Sequence, residues 1–183
     1  LFSADGESKA EFAYRRLREY PPDGGPSTLR ESIEGDTIRR YGRTLLQELD
    51  WSGIAMVEFK RDPRDGDPKL MEINPRFWGS LHLPLHAGVN FPWLLWQYSQ
   101  QTPTQEQSGY RTGVRCRYLY PGDLLYLLAE RNLEAFQAMF PLRDEELYYD
   151  ILSTDDLGGV VGRTLSLARY SLSPRMWKKL VVR

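Results

Sequence analysis

The chain has 183 residues, of which 41% are hydrophobic and 13% aromatic, enough to bury a core in one domain and to exclude a disordered chain. Its 24 basic and 25 acidic residues nearly cancel, so no overall field favours nucleic acid or an anionic membrane. One cysteine, Cys116, excludes an internal disulfide, and no apolar stretch reaches the roughly 20 residues of a membrane helix, so we expect a cytoplasmic protein without nucleic-acid or membrane partners.

The first 30 residues are predicted to form two strands and a loop. A strand at 1–4 ends at an Asp-Gly turn, and a second strand covers Glu11–Tyr20, in which Arg16 and Arg18 share one face at period two. Residues 23–28 consist of turn formers and predict a loop. Because the chain begins inside a strand without a methionine, we expect a fragment whose upstream half is missing.

A helix and a hairpin are predicted next. The helix begins at Asp36 and has one apolar stripe at helical spacing. The strands Ile54–Lys60 and Lys69–Asn74 are separated by a polar loop with Asp-Gly near its middle, which predicts a hairpin with a long tip. Further on, Pro92 sits where a first-turn proline would start a helix over Trp93–Gln101.

The remaining residues give weaker patterns. Tyr110–Tyr120 is predicted as a strand, Asp123 as the cap of a helix that runs through Glu130, and Leu133–Phe140 as another helix. Residues 147–183 are mixed in pattern, and no structure is assigned to them.

These elements predict an α+β fold, with an antiparallel sheet backed by helices and a mostly helical C-terminal extension. The polar residues 102–109 resemble a linker. We therefore expect a catalytic subdomain over 1–101, a linker over 102–109 and an extension over 110–183.

The hairpin brings a group of oxygen-bearing side chains together. If paired residue numbers sum to about 130, Glu58 lies opposite Glu72, and Asn74 extends from the same face. Like charges directly opposite destabilise a pair of strands, and apolar neighbours on both strands predict a well-buried hairpin, so something positive must compensate. Two carboxylates and an amide without His or Cys suit Mg²⁺ or Mn²⁺ and not zinc. Arg76, just beyond Pro75, is placed to meet phosphate oxygens.

A purely structural explanation stays open. Glu58 and Glu72 could pair with Arg16 and Arg18 of the preceding strand, since structural ion pairs are a common fate of such charges. The two arginines could equally form a solvated strand face. Three aligned oxygen ligands followed by Pro-Arg favour the metal-site interpretation.

The sequence of the hairpin is similar to one family in particular. The run Met56-Val57-Glu58-Phe59-Lys60, a turn, and then Leu70-Met71-Glu72-Ile73-Asn74-Pro75-Arg76-Phe77-Trp78-Gly79-Ser80 closely resembles the metal-binding strands of ATP-grasp enzymes, especially the carbamoyl-phosphate synthase-like group. The resemblance covers about 15–92, roughly the C-terminal half of the family's catalytic unit.

The resemblance implies roles for particular residues. Glu58, Glu72 and Asn74 would hold Mg²⁺ (or Mn²⁺) on the phosphates of ATP, and Arg76 would contact phosphate or an acyl-phosphate intermediate. Arg16 and Arg18, with the Gly-Gly loop after them, would border the triphosphate and the acceptor substrate; Ser27 and Thr28 are interpreted as turn residues.

The implied activity is that of a carboxylate ligase, in which ATP activates a small-molecule carboxylate as an acyl phosphate that an amine or other nucleophile attacks. The family's phosphate-binding lysines and adenine-binding strand precede this region, so the upstream half of the same polypeptide would be needed, and the fragment alone is expected to be inactive. A non-catalytic module that binds a nucleotide or a partner is the alternative.

Other candidates are weaker. His82 and His86 are four residues apart, but Pro84 lies between them, so packing or surface roles are favoured over a metal site. Trp93 and Trp96 are assigned to the core, since interleaved basic residues that would suit nucleic acid are missing. The charged pairs Asp155-Asp156 and Lys178-Lys179 are interpreted as solvated charges.

Overall fold

The computed structural model describes residues 1–171 except 23, 105, 141, 143, 153 and 154. The chain forms two compact units, Leu1–Tyr148 and Tyr149–Arg183. Short antiparallel strands and several helices give the α+β class predicted from the sequence.

The described strands form three small sheets. Their bounds are β1 Phe2–Ala4, β2 Glu7–Ala10, β3 Tyr14–Glu19, β4 Ser27–Ser32, β5 Gly53–Ile54, β6 Met56–Arg61, β7 Pro68–Asn74, β8 Arg115–Arg117 and β9 Leu147–Tyr149. The strand orders are β2-β1-β5, β3-β4-β8-β9 and β6-β7. The turn between β1 and β2 has positive φ at both Asp5 (55°) and Gly6 (77°), the combination that closes a tight hairpin.

The helices lie between and after these strands. Their bounds are α1 Asp36–Glu48, α2 His82–Ala87, α3 Phe91–Ser99, α4 Leu124–Glu130, α5 Leu133–Gln137 and α6 Leu157–Ser171, with an irregular turn at Leu119–Asp123 in which Tyr120 is extended. The N-cap of α3 is Asn90, whose side chain accepts a hydrogen bond from Trp93 N at 3.0 Å, and Pro92 occupies the first turn. The predicted proline-started helix is therefore present.

The core consists of three apolar clusters. The largest packs the β1 sheet against α3, through Phe2, Ile54, Trp78, Phe91 and Leu94 among others. A second places Leu83 and Ala87 of α2 against Val114 and Cys116, which are fully buried. A third joins Leu1, Leu46 and Ala55 beneath α1.

The strand β4 differs most from the sequence prediction. Ser27 and Thr28 were assigned to a loop, but they begin this six-residue strand; Asp23 of the predicted loop lies outside the described residues. The buried face of β4 consists of Thr28, Arg30 and Ser32, all polar. A strand whose buried face is polar lacks the alternation of apolar residues by which strands are recognised in a sequence.

The residues after position 109 also pair with the sheet. β8 covers only three residues of the predicted strand Tyr110–Tyr120, and it lies antiparallel beside β4 with Arg30 opposite Cys116. The hydroxyl of Tyr110 accepts a hydrogen bond from Ala13 N and donates one to Ile33 O. The subdomain boundaries at 101 and 109 stay a prediction.

Two predicted roles are wrong. Asp123 precedes α4, but its side chain makes no capping hydrogen bond; it is fully buried and bonded to arginines instead. Trp93 and Trp96, assigned to the core, stack on each other with 51% and 52% of their surfaces exposed. The buried side of α3 is supplied by Phe91 and Leu94.

Candidate functional site

The hairpin β6-β7 has the predicted register at its open end. Glu58 pairs with Glu72, and Met56 pairs with Asn74. Paired residues extend from the same face of a sheet, so both carboxylates and the amide share one face. Opposite residues in such a pair have Cβ atoms about 5 Å apart, within reach of a shared cation.

A β-bulge interrupts the register just beyond this pair. Phe59 lies opposite Leu70 and Lys60 opposite Lys69, which leaves Met71 as an additional residue in β7. The predicted register, in which paired numbers sum to about 130, therefore fails beyond Glu58, and Leu70 lies opposite Phe59 instead of Lys60. Bulges bend the strand and redirect side chains, and they are common beside active sites. The predicted pairing, which includes Glu58 with Glu72, therefore holds only between the bulge and the open end of the hairpin.

The carboxylate of Glu58 has a positive partner on another sheet. Arg16 Nη2 of β3 lies 2.6 Å from Glu58 Oε2. Two residues earlier on β3, the Tyr14 hydroxyl donates to Met56 Sδ at 3.5 Å and accepts from Ser80 Oγ at 2.8 Å. One face of β3 therefore lies beside the same face of β6. The expected positive compensation, and the structural ion pair that was left open, are both found for Glu58.

The second carboxylate belongs to a short chain of hydrogen bonds. Asn74 Nδ2 donates to Glu72 Oε1 at 2.6 Å, and Arg76 Nη2 donates to Asn74 Oδ1 at 3.1 Å. Arg76 also donates from Nη1 to Phe77 O at 3.0 Å, which keeps its guanidinium folded back beside the strand end. The hairpin thus brings Glu72, Asn74 and Arg76 together in one row.

The site is more open than the sequence predicted. Glu72 and Arg76 are exposed, and the apolar residues Leu70 and Met71 are 48% and 59% exposed, so the hairpin is not well buried. The reason is that, among the described strands, β6 and β7 pair only with each other and form a separate two-stranded sheet. An open face leaves room for a ligand's own oxygen atoms next to the carboxylates.

The donor set suits a hard cation. Two carboxylates and one carboxamide oxygen are the kind and number of groups with which proteins bind nucleotide-borne Mg²⁺. Asn74 would turn its amide by half a rotation to bring Oδ1 toward Glu72, because its nitrogen now faces that carboxylate. Among the described residues, no three His, Cys, Asp or Glu side chains are close enough to hold a metal ion by themselves.

Arg18 is not brought together with this set. In β3, Arg16 lies opposite Arg30 and Arg18 opposite Leu29, with a register shift between them at Leu17. Successive residues of β4 face opposite sides, so Arg16 and Arg18 do as well, and the prediction that they share a face is wrong.

The side chain of Arg18 is only 6% exposed and contacts Asp123 Oδ1 at 2.8 Å, Ala138 O at 2.6 Å and the ring of Tyr126. Its predicted role in nucleotide binding has no support in these contacts.

A glycine loop closes against the strand that holds Arg16. Tyr20 N donates to Pro26 O at 3.2 Å, and Arg16 Nη1 donates to Gly25 O at 3.4 Å. A Cβ atom on Gly25 would lie 2.0 Å from Tyr20 O, so any side chain there would force the loop open. The loop that the sequence predicted beside the substrate is therefore tied directly to the Arg16–Glu58 pair.

Arg30 is a residue that sequence reasoning missed. It lies directly opposite Arg16, and 1% of its surface is exposed. Paired residues share a face, so Arg30 lies on the same face of the sheet as Arg16, which contacts Glu58. It adds a buried positive charge on that face. The sequence offered no signal for it, because β4 was not recognised as a strand.

A cavity of about 50 Å³ lies behind the hairpin. Its walls are mainly apolar and belong to α1, β6 and the segments before β3 and α2, with Phe12, Ile38, Arg39, Val57 and Trp78 among the lining residues. Sites for drug-sized ligands have volumes of about 300–1,000 Å³, so this space is too small for a nucleotide.

Of the two histidines of α2, His86 takes part in packing and His82 lies at the surface, the two roles that were predicted. His86 stacks on Tyr148 with ring centroids 4.0 Å apart and an angle of 13° between the planes. His82 is exposed, and its ring lies 6.4 Å from that of His86.

Comparison with known families identifies the domain. Residues 6–120 match the family model described as ATP-grasp in the biosynthetic pathway with Ter operon, which covers well over half of the chain. The chain belongs to this ATP-grasp family. Neither a curated protein nor a solved structure matches it.

The ATP-grasp match extends past both ends of the resemblance found in the sequence, which covered about 15–92. It includes β2, both strands of the hairpin and β8, so the elements around Glu58 and Glu72 all lie within an ATP-grasp domain of the ligase type. The narrower likeness to carbamoyl-phosphate synthase-like members stays a prediction. No helix among the described residues is long and apolar enough to cross a membrane.

Proposed function

We propose that the intact protein is an ATP- and Mg²⁺-dependent carboxylate ligase, in which Glu58, Glu72 and Asn74 hold Mg²⁺ or Mn²⁺ on the phosphates of ATP. The observation that supports this most is the register of the hairpin, with Glu58 directly opposite Glu72 and Asn74 on the same face. Like charges in that arrangement are unfavourable without a cation, and one arginine neutralises only Glu58.

The side chains around the acidic pair have distinct tasks in this proposal. A bound metal ion would offset the negative charge of the phosphates and orient them. Arg16 keeps the Glu58 carboxylate aimed along the shared face. Arg76, exposed at the end of β7, would release Phe77 O and donate to phosphoryl oxygens, where a planar guanidinium forms two parallel hydrogen bonds.

The proposed reaction transfers the γ-phosphoryl group of ATP to the oxygen of a substrate carboxylate, with ADP as the leaving group. An amine or other nucleophile then attacks the acyl carbon, and phosphate leaves. Residues of this chain contribute by positioning and by charge, not by covalent bonding to the substrate. The adenine-binding half of the site is expected from the upstream half of the polypeptide.

A second candidate is an ATP-grasp module that binds a nucleotide or a partner without turnover. The 2.6 Å pair of Arg16 and Glu58 favours it, because one of the two predicted metal-binding carboxylates is already neutralised within the chain. In this case the upstream lysines that hold the phosphates would be absent from the parent polypeptide.

The deciding experiment uses the full-length polypeptide with Glu72→Ala and Glu72→Gln. We expect Mg²⁺-dependent phosphate release from ATP to fall by more than about 100-fold in both variants, since each removes a charge needed in the transition state. The matched control is Glu31→Gln, which removes a carboxylate paired with Arg15 on the sheet β3-β4. Turnover within a few-fold of wild type in the Glu72 variants would exclude the ligase proposal.

Binding of Mn²⁺ separates the remaining candidates. Calorimetry on the 183-residue chain should detect weak binding that Glu72→Ala abolishes and Glu31→Gln leaves unchanged. Binding of ATP with Mn²⁺ by the full-length protein, without turnover under any substrate mixture, would favour the second candidate. The absence of Glu72-dependent binding in the full-length protein would leave only a structural role for the acidic pair.

A further inference from the structure

The hairpin β6-β7 depends on side-chain contacts for its position. Among the described strands, β6 and β7 pair only with each other, so no larger sheet fixes the face that presents Glu58 and Glu72. The residues of β7 nearest the tip, Leu70 and Met71, are exposed and hold nothing in place. The geometry of the acidic pair is therefore determined by contacts at the open end of the hairpin.

The hydroxyl of Tyr14 contacts both sides of that open end. It donates to Met56 Sδ at 3.5 Å, and Met56 is the first residue of β6, where it pairs with Asn74. The same hydroxyl accepts from Ser80 Oγ at 2.8 Å, and Ser80 lies six residues after Asn74, the last residue of β7. One oxygen atom thus links the start of β6 to the segment that follows β7.

The groups that hold this hydroxyl are anchored in the core. The ring of Tyr14 packs against the second apolar cluster, the one that contains Leu83 and Cys116. Ser80 is 8% exposed, and Trp78, two residues before it, belongs to the largest apolar cluster. Because close-packed interiors yield little, a hydroxyl between two such segments transmits the rigidity of the core to the hairpin.

We propose that Tyr14 is a positioning residue for the proposed metal site, whose hydroxyl holds the open end of the hairpin so that Glu58 and Glu72 face a common cation. This inference rests on the proposed function. Mg²⁺ requires nearly octahedral geometry with oxygen ligands at about 2.0–2.1 Å, so a small displacement of either strand weakens its binding. Arg16, two residues after Tyr14 on β3, contacts the Glu58 carboxylate at 2.6 Å. Tyr14 therefore fixes the place of the strand, and Arg16 the direction of the carboxylate.

The test is calorimetric titration of the full-length polypeptide with Mn²⁺ in the presence of ATP. We expect Tyr14→Phe, which removes only the hydroxyl, to weaken Mn²⁺ binding by about tenfold, because groups that orient metal ligands contribute about 10–100-fold to metal affinity. Ser80→Ala should cause a similar loss, and the double variant little more, since both substitutions break one link. The Mg²⁺ concentration that gives half-maximal phosphate release should rise by the same factor.

Controls separate positioning from a purely structural role. Tyr148→Phe should leave Mn²⁺ binding unchanged, because the Tyr148 hydroxyl accepts from Arg111 Nη2 at 3.4 Å and so links β9 to the segment before β8. A Tyr14→Phe variant that is less stable in urea but binds Mn²⁺ like wild type would overturn the proposal, as would an equal loss of binding in Tyr148→Phe.

The variant Glu72→Ala distinguishes the two possible failures. Loss of Mn²⁺ binding in Glu72→Ala together with wild-type affinity in Tyr14→Phe would overturn the role of Tyr14 alone. Unchanged binding in Glu72→Ala would overturn the proposed function, and the positioning role of Tyr14 with it.

Discussion

Two arginines of β3, only two residues apart, show two different ways in which the molecule uses positive charge. Arg16 is 33% exposed and lies 2.6 Å from the carboxylate of Glu58 on the open face of the hairpin and 3.5 Å from that of Glu19 on its own strand. Arg18 is 6% exposed and contacts Asp123, which is fully buried and also bonded to Arg117. The bulge at Leu17 sends the two side chains to opposite faces of the sheet.

The difference lies in how completely each group is bonded. Around Asp123, Arg117 also donates to Met139 O at 2.8 Å, and Arg18 donates to Ala138 O, so this buried cluster fastens the segment after α5 to the sheet. Around Glu58, the surface stays open to solvent and has Glu72 opposite. Removing one partner from a buried ion pair leaves the other charge uncompensated and destabilises the fold, whereas a partly exposed charge can exchange a partner for water or for a ligand.

The largest effect is expected from Asp123→Asn. The substitution keeps the shape of the side chain but leaves two arginines buried without a counter-charge, which costs about 3–5 kcal/mol of unfolding free energy. Urea denaturation followed by circular dichroism measures the loss. Asp144→Asn is the matched control, because its carboxylate pairs with Arg115 at the surface and should leave the midpoint unchanged. Equal shifts in both variants would contradict the buried-cluster interpretation.

Removing either arginine of β3 should lower the unfolding free energy by less than Asp123→Asn does, and the two losses should differ. Arg18→Ala should lower the unfolding free energy by about 2 kcal/mol, because it removes charge-assisted hydrogen bonds to Asp123 and Ala138 O inside the protein. Arg16→Ala should cost less than about 1 kcal/mol, since its ion pair with Glu58 is partly screened by solvent. A larger loss of unfolding free energy for Arg16→Ala than for Arg18→Ala, measured by urea denaturation, would contradict this comparison.

The hairpin was predicted well because its determinants are local. The alternation on both strands and the Asp-Gly at the tip determine which residues pair, and Glu58 opposite Glu72 follows from counting. The extra residue at Met71 does not follow from that alternation, because a bulge adds a residue without changing which neighbours are apolar. The predicted register was therefore right from Glu58 to the open end at Asn74 and wrong at Leu70.

The four-stranded sheet was predicted poorly because its determinants are distant in sequence. Thr28, Arg30 and Ser32 are buried by β8 and neighbouring elements more than 80 residues away, and nothing in their own pattern indicates burial. The burial of Arg18 depends on its contacts with Asp123 and Met139, which are more than 100 residues away in sequence and approach it only in the folded chain. Local periodicity could not distinguish Arg18 from Arg16.

The smallest effect on the unfolding free energy is expected at Glu11, whose carboxylate is less buried than that of Asp123 and more buried than that of Glu58. Glu11, with 12% of its side chain exposed, accepts hydrogen bonds from Arg43 Nε at 2.5 Å and Ser8 Oγ at 3.0 Å. Burial by itself would raise the pKa of Glu11, but the hydrogen bonds and charge of Arg43, with Ser8 and Arg39, bring the pKa below its ordinary value of 4.5. The folded protein therefore favours the charged form, and Glu11 stabilises it most above that ordinary pKa.

This stabilisation should disappear as the pH falls through the lowered pKa, because the folded protein then loses the charged form that it had favoured. Urea denaturation over a series of falling pH values should show Glu11→Gln less stable than wild type at pH 7, with a deficit that shrinks as the pH falls through the lowered pKa of Glu11. Arg43→Gln should reproduce most of the loss at pH 7, and the double variant should lose little more, since both changes remove one interaction. A deficit of Glu11→Gln that stays constant as the pH falls from 7 through the acid range would mean that shape, and not charge, is what this residue contributes.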